Sequence, residues 1–163
     1  MSLLNQPLSA MASSVLWNSQ DFLEYFLKHL RTHPTCQVHI ITYLLTKHDS
    51  GVVHDICLEL NKRPSCIYVG TTRFVSQRAL DREIKAYKKA YPRVKVLTAY
   101  NDHRKVFLCT YHNYLGAVRL PNTYRCWMGS ANFYDSRTKN LVIEVPPSEI
   151  DNIRQEISNL IPL

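Results

Sequence analysis

Two short motifs hold the residue types in this sequence that could do chemistry on a phosphate ester. The first is His-x-Lys, formed by His103 and Lys105, and the second is Gly-Ser-x-Asn, which contains Gly129, Ser130 and Asn132. Each motif borders a stretch with strand character. Residues two apart in a strand face the same side, about 7 Å apart along the chain. The spacing therefore predicts that His103 and Lys105 share one face, and that Ser130 and Asn132 can face one pocket.

These four side chains supply a nucleophile and charge stabilisation for a phosphodiester. A neutral imidazole at His103 can attack phosphorus, and the ammonium group of Lys105 is a fixed cation for the phosphate oxygens. Ser130 and Asn132 can donate hydrogen bonds to the same oxygens. The seven histidines form no His/Cys cluster with ligand spacing, so we expect neither a metal nor another cofactor.

The two motifs in this order resemble the signature of the phospholipase D superfamily. The resemblance is strongest over about residues 94–145, and it is greatest to the short members that carry one motif per chain and act as homodimeric nucleases. It implies a phospholipase D-like α/β sandwich and a phosphohistidine formed at His103. It also implies a homodimeric active site, in which His103 of a second chain is the acid that protonates the leaving oxygen.

The sequence departs from the family pattern near both motifs. The acid expected five residues after the lysine is replaced by Thr110, and the long gap between Lys105 and Gly129 predicts an extra hairpin. In the family an acid on the following strand, spaced Asn-x-Glu, often orients the histidine. Here the acid in phase with Asn140 is Glu144, one step further along. Glu144 is therefore interpreted either as the orienting acid or as a surface acid at the edge.

The positive charge of the chain is concentrated in one tract. The net charge is +7, and residues 61–105 hold twelve lysines and arginines against three acids. A basic tract that leads into a phosphodiesterase-like motif favours DNA or RNA as the partner, although a solvated helix face would give the same pattern. The candidate substrate-binding residues are Arg78, Arg82 and Lys85, on the outer face of one predicted helix, and Arg104 within the motif.

Length and composition set the remaining limits. The 163 residues are enough for one domain with a substantial core, and no run of 18 apolar residues predicts a membrane span. The first lysine is Lys28, and the five cysteines form no Cys-x-x-Cys pair, so we expect a cytoplasmic protein without disulfides. We expect residues 1–16 to be a loose arm and residues 17–163 to form a single domain.

The hydrophobic pattern predicts alternating helices and strands, then several strands and a last helix. Helices are predicted from Ser19, over 53–60, after Ser76 and from 147, and strands over 37–45, 66–69, 94–99, 106–111, 117–120, 125–128 and 140–145. A turn is predicted at Leu120-Pro121-Asn122. This order indicates an α/β fold with a mixed β-sheet and helices on both faces.

The leading hypothesis from the sequence is a metal-independent phosphodiesterase, a nuclease that hydrolyses DNA or RNA through a phosphohistidine. Two alternatives stay open. A non-catalytic nucleic-acid-binding or inhibitory module with the same fold is compatible with Thr110 and the displaced Glu144. A phospholipid phosphodiesterase would need an apolar, interface-seeking surface, for example around Ser13 to Trp17.

Overall fold

The chain forms a seven-stranded sheet with helices on both faces, which confirms the predicted α/β class. The computed structural model describes residues 14–71, 76–100, 104–134 and 139–160. The strands are β1 Ser14–Asn18, β2 Gln37–Thr42, β3 Ser65–Thr71, β4 Val94–Tyr100, β5 Val106–Leu115, β6 Val118–Gly129 and β7 Lys139–Glu144. The helices are α1 Ser19–Thr32, α2 Gly51–Leu60, α3 Gln77–Ala90 and α4 Pro147–Leu160.

The strand order brings the ends of several strands together. The order is β1-β7-β6-β5-β2-β3-β4. Strands β2, β3 and β4 are parallel, whereas the neighbours β2–β5, β5–β6, β6–β7 and β7–β1 are antiparallel. The carboxyl ends of β2, β3, β4 and β6 therefore lie at the same end of the sheet as the amino ends of β5 and β7. We call this the motif end of the sheet, because both sequence motifs border it.

The larger part of the core lies on the face of the sheet that α1, α2 and α3 cover. The predicted stripe of α1 is buried there, with the Phe22 and Phe26 rings 4.9 and 5.2 Å from the ring of Phe107. Phe26 also packs edge-on against Trp127 of β6, 5.8 Å between ring centroids. Burial of each such side chain contributes about 1.5–3 kcal/mol, so this cluster fixes α1 on β5 and β6.

The opposite face of the sheet is covered by α4. Ile150 and Ile157 of this helix are buried against strand residues that include Val106, Leu108 and Cys126. Because β5 is covered on both faces, its first five residues are buried, and the first four of them are apolar. The last helix therefore packs over β5 and β6, next to the motif end.

The predicted turn at Leu120-Pro121-Asn122 is wrong, because residues 118–129 form one continuous strand. The chain reverses at Gly116 instead, whose φ of +61° suits a residue without a side chain. Pro121 falls where the β5–β6 register shifts, between the pairs Tyr111–Thr123 and Asn113–Leu120. A proline is tolerated at such an irregularity because no ladder hydrogen bond is required of it there. Residues 111–125 form a two-stranded hairpin arm, the extra hairpin that the sequence predicted.

The N-terminal boundary also differs from the expectation. Residues 1–13 of the predicted loose arm lie outside the described residues, but residues 14–16 belong to β1, which pairs with β7 from Ser14–Ile143 to Asn18–Lys139.

All five cysteines are free and buried. Within the described ranges, no helix is long and apolar enough to cross a membrane.

Candidate functional site

The motif end of the sheet brings Lys105 together with the Gly-Ser-x-Asn tetrad. Lys105 directly precedes β5 and Gly129 is the last residue of β6. The backbone N–H of Gly129 donates to the carbonyl of Lys105 at 3.3 Å, so the two motifs continue the β5–β6 pairing. His103 lies outside the described residues, two positions before Lys105 in the sequence.

The glycine of the tetrad is required by the neighbouring strand. A Cβ atom built on Gly129 would overlap the carbonyl oxygen of Leu141 in β7. The next residue, Ser130, makes two hydrogen bonds to Leu141. Its N–H donates to the Leu141 carbonyl at 3.0 Å, and its Oγ accepts from the Leu141 N–H at 3.1 Å. Ser130 is thus held against β7, and its exposed hydroxyl keeps its own proton as a hydrogen-bond donor.

Asn132 is held in one orientation by the loop that follows β2. Its Oδ1 accepts from the backbone N–H groups of Tyr43 and Leu44 at 2.9 and 3.0 Å, and the hydroxyl of Thr42 lies 3.3 Å away. Two backbone donors assign this atom as the oxygen of the amide. The capacity of Asn132 to bond a ligand therefore rests on Nδ2, which is a donor and so matches a phosphate oxygen.

The residue after the tetrad locks the same two loops together. The N–H of Phe133 donates to Thr42 Oγ1 at 2.8 Å, and its carbonyl accepts from the N–H of Thr46 at 3.3 Å. The Phe133 ring is fully buried in the core below the motif end. The contact of Phe133 with Thr42 joins residues 91 positions apart, so no local sequence pattern indicates it.

Lys105 presents a half-buried cation at the motif end. Its Nζ lies 5.6 Å from the ring centroid of Tyr43, within cation–π range. None of the ion pairs between described residues includes Lys105. Tyr43 therefore contacts both motifs, through its ring to Lys105 and through its backbone to Asn132.

Two predicted site residues have partners that the sequence did not indicate. Arg104 pairs with Glu156 of α4, so its guanidinium is directed to the helix. Glu144 accepts from Nε of Arg125 at 2.6 Å, and the Arg125 guanidinium lies 4.9 Å from the Trp127 ring centroid. Glu144 is opposite Trp127, two residues before Gly129 in β6, so it lies about 7 Å further from the motif end than Gly129. This geometry assigns the carboxylate to Arg125.

Thr110 lies well away from the motif end. It is buried in β5, opposite Gln37 of β2 and Tyr124 of β6. It lies five residues along the chain from Lys105, which corresponds to about 16 Å in a strand. A side chain at this position does not reach the ammonium group of Lys105.

The basic tract divides into exposed and buried parts. Arg78, Arg82 and Lys85 are exposed along one face of α3, and the acid Glu83 is turned inward, where it accepts from the N–H of His48 at 2.7 Å. By contrast, Arg63 is only 1% exposed and donates to the carbonyls of Leu30, His33 and Glu59. Arg63 is therefore a structural residue, while the outer face of α3 is available to a polyanion.

Metal-binding geometry is absent from the part of the chain that the structure describes. No group of three or more His, Cys, Asp or Glu side chains there could hold an ion.

Comparisons with known proteins give a fold match without a sequence match. No family model matches the chain, and no curated protein matches it by sequence. Among solved structures, the crystal structure of polyphosphate kinase from Porphyromonas gingivalis is similar, with a TM-score of 0.63 and 14% sequence identity. The match covers 97% of this chain but 28% of that chain. It shows a shared fold over nearly the whole of this chain.

Proposed function

We propose that this chain is a metal-independent phosphodiesterase that hydrolyses DNA or RNA. The observation that supports the proposal is the backbone junction of Lys105 with Gly129, together with Tyr43, which contacts both the half-buried Lys105 cation and the oriented amide of Asn132. His103, two residues from Lys105, is the nucleophile in this proposal. These groups match the needs of a reaction that builds negative charge on phosphate oxygens.

The proposed reaction has two steps. In the first, a nitrogen of His103 attacks phosphorus; a P–N bond forms, the P–O bond to one nucleotide breaks, and the leaving oxygen takes a proton from a second acid. In the second, water attacks the phosphohistidine and gives a proton to the now deprotonated second acid; a P–O bond forms, the P–N bond breaks, and both His103 and the second acid are regenerated. Lys105 and Asn132 Nδ2 stabilise the charge on the non-bridging oxygens in both steps.

The second acid in this proposal is His103 of a twofold-related chain. The sequence has one His-x-Lys motif, so a shared site would combine one neutral and one protonated imidazole, and activity would fall on both sides of a pH window. When wild-type chains are exchanged with excess His103→Ala chains, activity should drop more than simple dilution predicts. A monomer with full activity would require a different acid.

An exposed basic stripe supports nucleic acid as the substrate. The exposed stripe on α3 carries Arg78, Arg82 and Lys85, and its neighbouring acid Glu83 is bonded to His48. The position of Thr110 bears on activity and not on the substrate: it lies too far from Lys105 to contact a phosphate held there, so threonine at this position is compatible with hydrolysis.

The test is hydrolysis of labelled DNA and RNA oligonucleotides in excess EDTA. We expect the wild type to cleave, His103→Ala to be inactive, and the control His112→Ala, at an exposed histidine of the hairpin arm, to keep wild-type turnover. Loss of cleavage in EDTA with recovery in Mg²⁺ would contradict the proposal, as would normal turnover of folded His103→Ala.

A second candidate substrate is inorganic polyphosphate, which the fold similarity to a polyphosphate kinase favours. Polyphosphate is also a chain of phosphate groups, so the same cations could bind it. Parallel incubation with polyphosphate separates the two substrates. Oligonucleotide binding without cleavage would instead favour the non-catalytic module, an outcome compatible with the pairing of Glu144 with Arg125.

A further inference from the structure

A cleft of about 580 Å³ lies between α4 and the motif end of β5, β6 and β7. At one end it reaches Lys105 and Gly129, and from there it extends below the first turns of α4. This volume falls within the usual range for small-ligand sites. The cleft is therefore continuous with the candidate catalytic groups.

The floor of the cleft is apolar because α4 leaves part of the sheet uncovered. The helix packs over β5 and β6 through Ile150 and Ile157, and on the same face of β7 Leu141 stays 50% exposed and Ile143 is half-exposed. The apolar lining consists of Met128, Ile143, Val145, Pro146 and Ile153. An apolar surface of this kind favours a flat, uncharged group over water.

The charges around the cleft separate the place for a phosphate from the place for a neutral ring. Lys105 supplies a cation at the motif end, whereas the part below α4 is lined by Glu149 and by Glu156, whose carboxylate pairs with Arg104. Carboxylates repel a phosphate but can accept hydrogen bonds from the amino groups of a base. Asn152, also at the lining, carries an amide that can bond to a base edge.

We propose that this cleft binds one base of the strand, next to the phosphate held at Lys105. This inference rests on the proposed function and narrows its substrate class to single-stranded or locally unpaired DNA or RNA. A base within a duplex is stacked on both faces and paired along its edge, so it must leave the helix before it can enter the cleft. An unpaired strand avoids that cost.

The test compares three substrates and three variants. The substrates are a single-stranded oligonucleotide, its duplex, and methyl p-nitrophenyl phosphate, a diester with no base. Ile143→Trp fills the cleft, Asn152→Ala removes the amide, and Leu58→Trp, at an exposed leucine of α2, is the matched control. The measurement is kcat/KM of the wild type and of each variant on each substrate.

The wild type should prefer the single strand. Ile143→Trp should lower its kcat/KM on that strand by about 10-fold or more, the scale of losing one base contact. The same variant should cleave the baseless ester at the wild-type rate, and Leu58→Trp should match the wild type on all substrates. Asn152→Ala should change the preference among bases and leave the ester unaffected.

The outcomes separate failure of the cleft from failure of the proposed function. If Ile143→Trp changes kcat/KM equally for the oligonucleotide and the ester, or changes neither, the base-binding inference is overturned. The proposed phosphodiesterase function is not affected by that result. If the wild type hydrolyses nothing, equilibrium binding of a fluorescent single strand tests the cleft alone, and equal affinities of wild type and Ile143→Trp overturn it. A change in oligomeric mass without a change in strand preference would assign the cleft to a contact between copies.

Discussion

The side-chain oxygen of Asn132 accepts a hydrogen bond from the backbone N–H of Tyr43, 2.9 Å away. The ring of Tyr43 also lies 5.6 Å from the ammonium of Lys105. One residue of the loop after β2 therefore contacts the functional residues of both motifs. Neither motif's geometry is set by its own strand alone.

Substitution of Asn132 by aspartate should separate its two roles. In Asn132→Asp one carboxylate oxygen can still accept from the N–H groups of Tyr43 and Leu44, but the second replaces the donor Nδ2 with a negative charge. We expect a loss of turnover on the order of 10²-fold or more with little change in melting temperature. The measurements are kcat/KM and thermal unfolding. Full turnover of Asn132→Asp would show that Nδ2 does not contact the phosphate.

Gly129→Ala should disturb both the fold and the site. The added Cβ overlaps the carbonyl oxygen of Leu141, so β6 and β7 must separate, at a cost of about 1–3 kcal/mol. Gly116→Ala is the control: it meets no atom and pays about 1–2 kcal/mol for its positive φ. Denaturant unfolding measures both costs. Only Gly129→Ala should also reduce turnover, and an unchanged rate would mean that the tetrad tolerates the shift.

Charge reversal on α3 should weaken nucleic-acid binding and reduce its dependence on salt. If Arg78, Arg82 and Lys85 each neutralise one phosphate, their triple change to glutamate should reduce the slope of log affinity against log salt by about 2–3. The control changes three exposed basic residues elsewhere, Lys28, Arg31 and Arg119, to glutamate. Fluorescence anisotropy across a salt series measures both. Equal losses in the two triple variants would indicate an effect of net charge rather than a binding face.

Glu144→Gln should be mild if the carboxylate serves only Arg125. The pair is partly exposed, so its loss should cost about 0.2–1 kcal/mol of unfolding free energy. Arg125→Gln should cost a similar amount, and both variants should keep most of their turnover. A large loss of turnover confined to Glu144→Gln would restore the interpretation of this acid as the partner of His103.

The protein should lose stability below neutral pH partly because of His29. Burial, followed by the nearby charges of His33, Arg125 and Arg63, lowers the pKa of His29 from 6.5 to about 4. Between these values the unfolded chain binds a proton that the folded chain excludes, so the free energy of unfolding falls as the pH drops from 6.5 towards 4. Urea unfolding of His29→Gln should show a smaller pH slope. An unchanged slope would place the proton uptake on another group.

Much of the fold follows from local pattern, and the exceptions have physical causes. The stripe of α1 and the basic face of α3 have the period of a helix, and the structure has both. The turn predicted at Pro121 failed because a register shift accommodates the proline, while Gly116 supplies the reversal. His29 is buried against Tyr111 and Trp127, which lie more than 80 residues away, so its burial does not follow from local pattern.

The candidate site was predictable only in part for a similar reason. Because β5 and β6 are antiparallel neighbours, the start of β5 lies beside the end of β6, which brings Lys105 and Gly129 together. This proximity could be expected from the positions of the two motifs. The anchoring of Asn132 by Tyr43 and the pairing of Arg104 with Glu156 join residues 89 and 52 positions apart. Contacts at such separations depend on the packing of whole elements, which no local pattern encodes.

The hairpin arm continues β5 and β6, the two strands that the sequence motifs border. Pairing of β5 with β2 ends at Thr110, and pairing of β6 with β7 ends near Cys126, so beyond these points the described strands of the arm pair with each other alone. Side chains at the base of the arm also contact other elements: Tyr111 contacts His29 of α1, Tyr124 contacts Arg154 of α4, and Arg125 pairs with Glu144 of β7. Its tip carries exposed apolar side chains, with Leu115 72% exposed. The same two strands begin and end at Lys105 and Gly129. A load applied at the tip would therefore reach the motif along these two strands, and the contacts of Tyr111 with α1 and of Tyr124 with α4 would restrain the base of the arm.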